Sequence, residues 1–193
     1  MKIIKKKKEK RAFSLMEMII ATALFLIAIT ASIGIFLSTI KANNKINLMQ
    51  EVENEIRYIT ETMSKEIRLG TVYYDYYEDT YGLDFQNPVS TLALLDNADN
   101  ISYFALNGDE ESSGIVQVDF SDSGVWSDLT SNDVIVDQLD FYLLPDFNPF
   151  AQDAEFIQQP LVIIYLEAHY NNSDDSEGKI KMQTSVTSRQ YKK

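Results

Sequence analysis

The sequence predicts an α+β fold in which one long N-terminal helix packs on an antiparallel β-sheet head. Three observations carry this expectation. Residues 14–69 contain no proline and keep a helical distribution of apolar side chains. Beyond Thr71 the apolar period shortens to two, as in half-buried strands. The strand-like runs all follow the helix instead of alternating with helices, which favours α+β over a parallel α/β sheet.

The helix opens in a basic leader. Residues 1–12 hold seven Lys or Arg against one Glu, a net charge of +6, whereas residues 13–193 hold ten basic against 28 acidic residues, a net charge of −18. An acidic body repels phosphate backbones, so nucleic-acid binding by the head is not expected. With no cysteine, the chain has no disulfide, thiolate metal site or Cys nucleophile. A composition of 45% hydrophobic and 11% aromatic residues suits a folded chain.

Met18 to Ile40 is a run of 23 residues without a formal charge. At 1.5 Å per residue it spans roughly 35 Å, enough for a hydrocarbon core of about 30 Å. The preceding lysines place the N-terminus in the cytoplasm and the residues after Lys41 outside. Two other readings of this run stay open here. A secretory signal peptide has a shorter apolar region, about 7–15 residues, and an ordinary single-pass anchor would leave Glu17 at the membrane interface. A carboxylate at the start of a membrane helix is costly and calls for a named partner.

The second half of the helix is amphipathic. Ile46, Met49, Val52, Ile56, Ile59, Met63 and Ile67 form one apolar stripe, and Glu53–Arg57 and Glu61–Lys65 are i,i+4 pairs in the favourable order. Gly34 and the Asn43–Asn44 pair are points where the helix can bend, and Gly70 is the expected C-cap. In the head, "ISYFALN" and "GIVQVDFS" are strand candidates, the latter with Val116, Val118 and Phe120 on one face and Gln117 and Asp119 on the other. "VIVDQLDFYLL" places Ile135, Leu139, Phe141 and Leu143 on one face and Val134, Val136 and Tyr142 on the other. "PLVIIYLEAHY" and "KIKMQTSVTSRQ" flank "NNSDDSEG" and so predict an antiparallel hairpin.

The N-terminal pattern of basic leader, "A-F-S-L-M-E" at Ala12 to Glu17 and unbroken apolar helix resembles a type IV prepilin or type II secretion pseudopilin. Ser14 and Met16 are conservative swaps within that signature, and Ala12 stands where the family usually has Gly. The size of the head, the "QEVENEIRYITETMSKEIR" helix and the "MQTSVTSRQ" ending further resemble the J/W-type minor subunits. The resemblance implies a pilin-like fold in four parts: a cytoplasmic leader (1–12), a transmembrane and assembly helix (13–40), its amphipathic continuation (41–70) and an extracytoplasmic β-rich head (71–193). It implies cleavage by a prepilin peptidase between Ala12 and Phe13, and N-methylation of Phe13. Glu17 would set register between subunits by pairing with a neighbour's Phe13 ammonium. The implied partners are the peptidase, other pilin or pseudopilin subunits, a membrane assembly platform and membrane lipid. The product would be a non-enzymatic minor subunit of a pilus or secretion pseudopilus, at the cell surface or in the periplasm, with a tip or priming role. The competing class is a membrane-tethered ligand-binding or hydrolase domain whose N-terminal match is accidental.

Other features give weaker signals. His169, the one histidine, reads as a surface or strand-end imidazole, not a catalytic base. No Walker loop, G-x-S-x-G, H-E-x-x-H or G-x-G-x-x-G occurs. "DFSDSG" (Asp119 to Gly124) echoes a calcium loop without its closing glutamate and reads as a hairpin turn, and "NNSDDSEG" reads as a solvated turn. No cofactor is expected, with Ca²⁺ in an acidic head loop as the one exception the resemblance suggests. The five tyrosines between Val72 and Phe85 could form a subunit contact, but packing of alternate rings beneath the helix C-terminus is the favoured reading.

Overall fold

The computed structural model describes residues 13–82, 87–107, 114–151, 158–171 and 178–189. The fold is α+β, as the sequence predicts. A helix, α1 (Leu15–Leu69), is followed by β1 (Thr71–Val72), α2 (Tyr74–Tyr81), β2 (Thr91–Leu95), β3 (Ile101–Asn107), β4 (Ile115–Phe120), β5 (Ser127–Asp128), β6 (Val134–Leu144), β7 (Leu161–Tyr170) and β8 (Ile180–Thr187). The strands form two antiparallel sheets, ordered β1-β2-β3-β4-β5 and β6-β7-β8. The chain divides into two compact units, Met1–Lys45 and Ile46–Lys193.

In the first unit, the described residues of α1 are exposed, and the helix continues through Gly34, Asn43 and Asn44. A Cβ at Gly34 would meet nothing within 4 Å, so no packing contact requires glycine there. The hydroxyls of Thr22, Thr30, Ser32 and Thr39 donate to carbonyls four residues back at 2.8–3.0 Å. These bonds satisfy the hydroxyls within the helix itself, which suits an apolar surround.

In the second unit, α1 buries Val52, Ile56, Ile59, Met63 and Ile67, five of the seven stripe positions, in one core with strands of both sheets. Ile46 and Met49 remain exposed. Each buried aliphatic side chain is worth about 1.5–3 kcal/mol relative to exposure. The Glu53–Arg57 pair forms at 2.8 Å on the outer face. Gly70 ends the helix by donating its N–H to Glu66 O at 2.8 Å. A Cβ on Gly70 would lie 2.7 Å from Leu95 O, so the close approach of β1 to β2 requires glycine.

Two strands depart from simple alternation. In β6 the buried residues are Val134, Val136, Leu139, Phe141 and Leu143, not the set headed by Ile135. A β-bulge between Val136 and Gln138 leaves Asp137 outside the backbone register with β7 and shifts the phase by one, so both valines join the core face. In β4, Val116 and Val118 are buried as predicted. Phe120 is 47% exposed and Asp119 only 2%, because the turn after β4 draws the Asp119 carboxylate inward.

The tyrosine segment is a helix, which corrects the expected period of two. Tyr74 and Tyr77, three apart, are buried, and Tyr81 is exposed. The Tyr77 hydroxyl accepts the Ala93 N–H at 2.8 Å and donates to Thr91 O at 3.1 Å, replacing the strand that β1 is too short to supply. Burial pushes this phenol far above its ordinary range, so it remains a donor at all working pH values. Strand β2, "TLALL", has no alternation to betray it, because Leu92, Ala93 and Leu94 are all buried.

Tyr77→Phe should lower stability by about 1–3 kcal/mol, since the buried Ala93 N–H and the half-buried Thr91 C=O both lose their partner. Tyr81→Phe should change stability little. Denaturant unfolding of the detergent-solubilised chain measures both.

Candidate functional site

The residues singled out by sequence begin where α1 begins. Ala12 and the leader lie outside the described residues. Phe13 is 76% exposed, and the first helical bond runs from Met18 N–H to Ser14 O at 3.2 Å, so α1 is nucleated one residue after Phe13-Ser14. Phe13, Leu15, Met18, Ile19 and Thr22 line one shallow apolar surface. Glu17 stands in the first turn and is exposed. There the N–H end of the helix dipole favours a carboxylate, by about 0.3–1 kcal/mol in exposed settings.

Ser14 and Glu17 also have the S-x-x-E spacing of a capping box, a local signal absent from the sequence-based reading. The geometry does not close it. Among the described residues, neither the Ser14 hydroxyl nor the Glu17 carboxylate has a hydrogen-bond or ion-pair partner. Glu17 is thus an exposed carboxylate at the head of an apolar helix, with the helix dipole but no described side chain or cap to meet it.

The helix that carries it is long and apolar enough to cross a membrane. Its best 18-residue window has a mean hydropathy of 2.5, and none of that window is buried. A core helix of comparable hydropathy would be covered by its own domain, and this one is not.

The head offers two polar clusters. His169, near the end of β7, is only 6% exposed, which corrects the surface expectation but keeps the strand-end position. Its Nδ1 lies 2.9 Å from Asp137 Oδ2, and Lys179 Nζ lies 3.3 Å from the same oxygen. The bulge residue therefore joins β6 to β7 and to the approach of β8. Glu167 binds Lys181 at 2.7 Å, and this bond holds its carboxyl below the usual range.

The second cluster is the "DFSDSG" turn. Asp119 accepts from Ser123 Oγ at 2.7 Å, Ser123 N–H at 3.2 Å and Gly124 N–H at 2.8 Å. Ser121, Asp122 and Gly124 take positive φ angles of 77°, 49° and 72°. Both carboxylate oxygens already accept from N–H or O–H donors, an arrangement that serves a turn. The hairpin reading holds, with β4 and β5 paired across it. Among the described residues no group of three His, Cys, Asp or Glu could hold a metal ion. Of "NNSDDSEG", positions 172–177 lie outside the described residues.

No protein-family model matches the chain, and neither a curated protein nor a solved structure matches it.

The Asp119 turn generates a pH prediction. The Ser123 hydroxyl, with the Gly124 and Ser123 N–H groups, lowers its carboxyl from the ordinary 3.8. A depressed folded value means that the stabilisation is complete above the unfolded value and is lost as pH falls through the folded one. The head should lose stability below about pH 4, the ordinary Asp range. Asp119→Ala should be less stable at neutral pH and show a shallower loss in acid, both read from the pH dependence of the unfolding midpoint.

Proposed function

We propose that the chain is a structural minor pilin or pseudopilin subunit, processed by a prepilin peptidase and assembled through α1 into a type IV pilus or type II secretion pseudopilus. The observation that carries this reading is Ala12-Phe13-Ser14-Leu15-Met16-Glu17 placed between a basic leader and an apolar helix. The exposure of that helix and the lack of a described partner for Glu17 support it. The subunit acts without catalysis, and its head stands outside the cytoplasmic membrane.

The mechanism follows from charge and size. A small residue before the scissile bond fits a protease pocket that a bulky side chain would clash with, and Ala12 adds one methyl to the usual glycine. Leader lysines hold the N-terminus at the anionic cytoplasmic leaflet, each worth about 1 kcal/mol near the surface. Cleavage frees an ammonium on Phe13, which stays charged after methylation. When helices pack, that ammonium and a neighbour's Glu17 neutralise one another, and leaving either alone in an apolar surround costs about 3–5 kcal/mol. The remainder of the helix is apolar and could slide, so this pair selects one axial offset.

Two substitutions separate processing from assembly. Glu17→Ala should leave leader removal intact and sharply reduce the sheared-filament fraction, because the protease reads the bond and the residue before it. Ala12→Leu should block cleavage, leaving a membrane protein larger by a roughly 12-residue leader. The head should fold in both. Filament incorporation of Glu17→Ala at the wild-type level would remove the registry role.

A further inference from the structure

Among the described residues the larger sheet ends in the two-residue strands β1 and β5, and the smaller in β6 and β8; three of these four margins leave no long unpaired strand. The β2 edge is covered by β1, then by the Tyr73 N–H on Ala93 O at 3.0 Å and by the Tyr77 hydroxyl. The β4 edge is covered by β5, by the Leu129 N–H on Val116 O at 2.7 Å, and by Thr130 Oγ1, which accepts the Val116 N–H at 3.1 Å. The β6 edge is closed at separate points: Val136 N–H donates to Gly114 O, Phe141 exchanges bonds with Val89, and Leu143 exchanges bonds with the Asn87 side chain. Only two-residue strands lie outermost in the larger sheet.

The outer edge of β8 is different. It is eight residues long, and among the described residues nothing pairs with it. Its register fixes which groups point outward. Ser188 N–H donates inward to Pro160 O at 3.0 Å, so every second residue from there bonds β7. The intervening residues, Lys181, Gln183, Ser185 and Thr187, direct both N–H and C=O away from the sheet. An open, regular edge of this length is a template for another strand, and proteins usually blunt such edges.

Charge indicates the occupant. Residues 69–178 contain 22 acidic residues and no Lys or Arg, whereas residues 179–193 contain five basic residues and no acidic one. The Lys181 ammonium binds Glu167, yet its side chain remains 61% exposed with donors to spare. Arg189 is exposed beyond the strand. A second copy would bring the same basic strand to this margin, setting like charges along one another. We propose that the β8 edge docks an extended, carboxylate-bearing segment of a different protein by strand addition, with backbone bonds to residues 181–187 and a carboxylate against Lys181. This inference is independent of how the N-terminus is processed.

The test uses the full chain in neutral detergent micelles. The probe is a synthetic eight-residue peptide of alternating valine and threonine with two threonines replaced by glutamate, and its counterpart carries lysine instead. Amide hydrogen exchange is read at residues 181, 183, 185 and 187. The glutamate peptide should slow exchange at those four amides, and the lysine peptide should bind about tenfold or more weakly. Ser185→Pro removes one outward N–H without touching a β7 bond and should abolish the protection. Lys181→Gln, which keeps the stem, should bring the two peptides close to equal affinity, and it serves also if the proline variant fails to fold. Four results would overturn the proposal: amides protected before peptide is added, protection that grows with protein concentration alone, no protection by the glutamate peptide at millimolar concentration, or equal binding of the two peptides to the unsubstituted chain.

Discussion

The C-terminal half of α1 must bury a stripe that recurs every three or four residues, and the strands are arranged around that need. Val52, Ile56, Ile59, Met63 and Ile67 share one core with Leu92 and Phe104 of the larger sheet and Phe141, Ile164 and Leu166 of the smaller. Strands with a period of two can meet a helical stripe only by presenting a continuous apolar face. The bulge at Asp137 achieves this in β6, since without it Val134 and Val136 would face away from Leu139 and Phe141. Polar bonds then fix the helix end against the sheets: Ser188 Oγ donates to Gly70 O at 2.6 Å, and Glu55 accepts the Ser131 N–H at 2.6 Å.

The same helix has the opposite character nearer the N-terminus. Its hydroxyls are satisfied by its own carbonyls, its apolar side chains are exposed, and Glu17 is the one formal charge between Phe13 and Ile40. A helix this long and apolar, with these side chains exposed, is compatible with a hydrocarbon surround. Under the proposed function the two needs are met in turn: lipid before assembly, neighbouring helices after it. Glu17 is tolerable in the first setting near an interface and stabilising in the second only with a cation beside it.

The sequence made some of this legible and hid the rest for identifiable reasons. The long helix, its buried stripe, the Gly70 stop, β3 and the β7–β8 hairpin followed from periodicity and turn residues. Strand β2 was silent because it is buried on both faces. Simple alternation gives β6 the wrong phase, because the three-residue step from Val136 to Leu139, set among steps of two, marks a bulge that it cannot represent. The tyrosines suggested alternation through their number, whereas the three-residue step from Tyr74 to Tyr77 belongs to a helix. His169 keeps its strand-end position, but its contact with Asp137, 32 residues away at the bulge, has no local signal. At the candidate site the residues are readable, but the open cap needs geometry: the S-x-x-E spacing alone would assign Glu17 to a capping box.

The proposed function requires that Phe13 become the charged N-terminus of the mature chain. Intact-mass and peptide mass spectrometry of the mature protein from its native membrane tests this most directly. The expected result is a chain beginning at Phe13 and carrying one N-methyl group. An intact Met1, or a cleavage beyond Gly34, would contradict it.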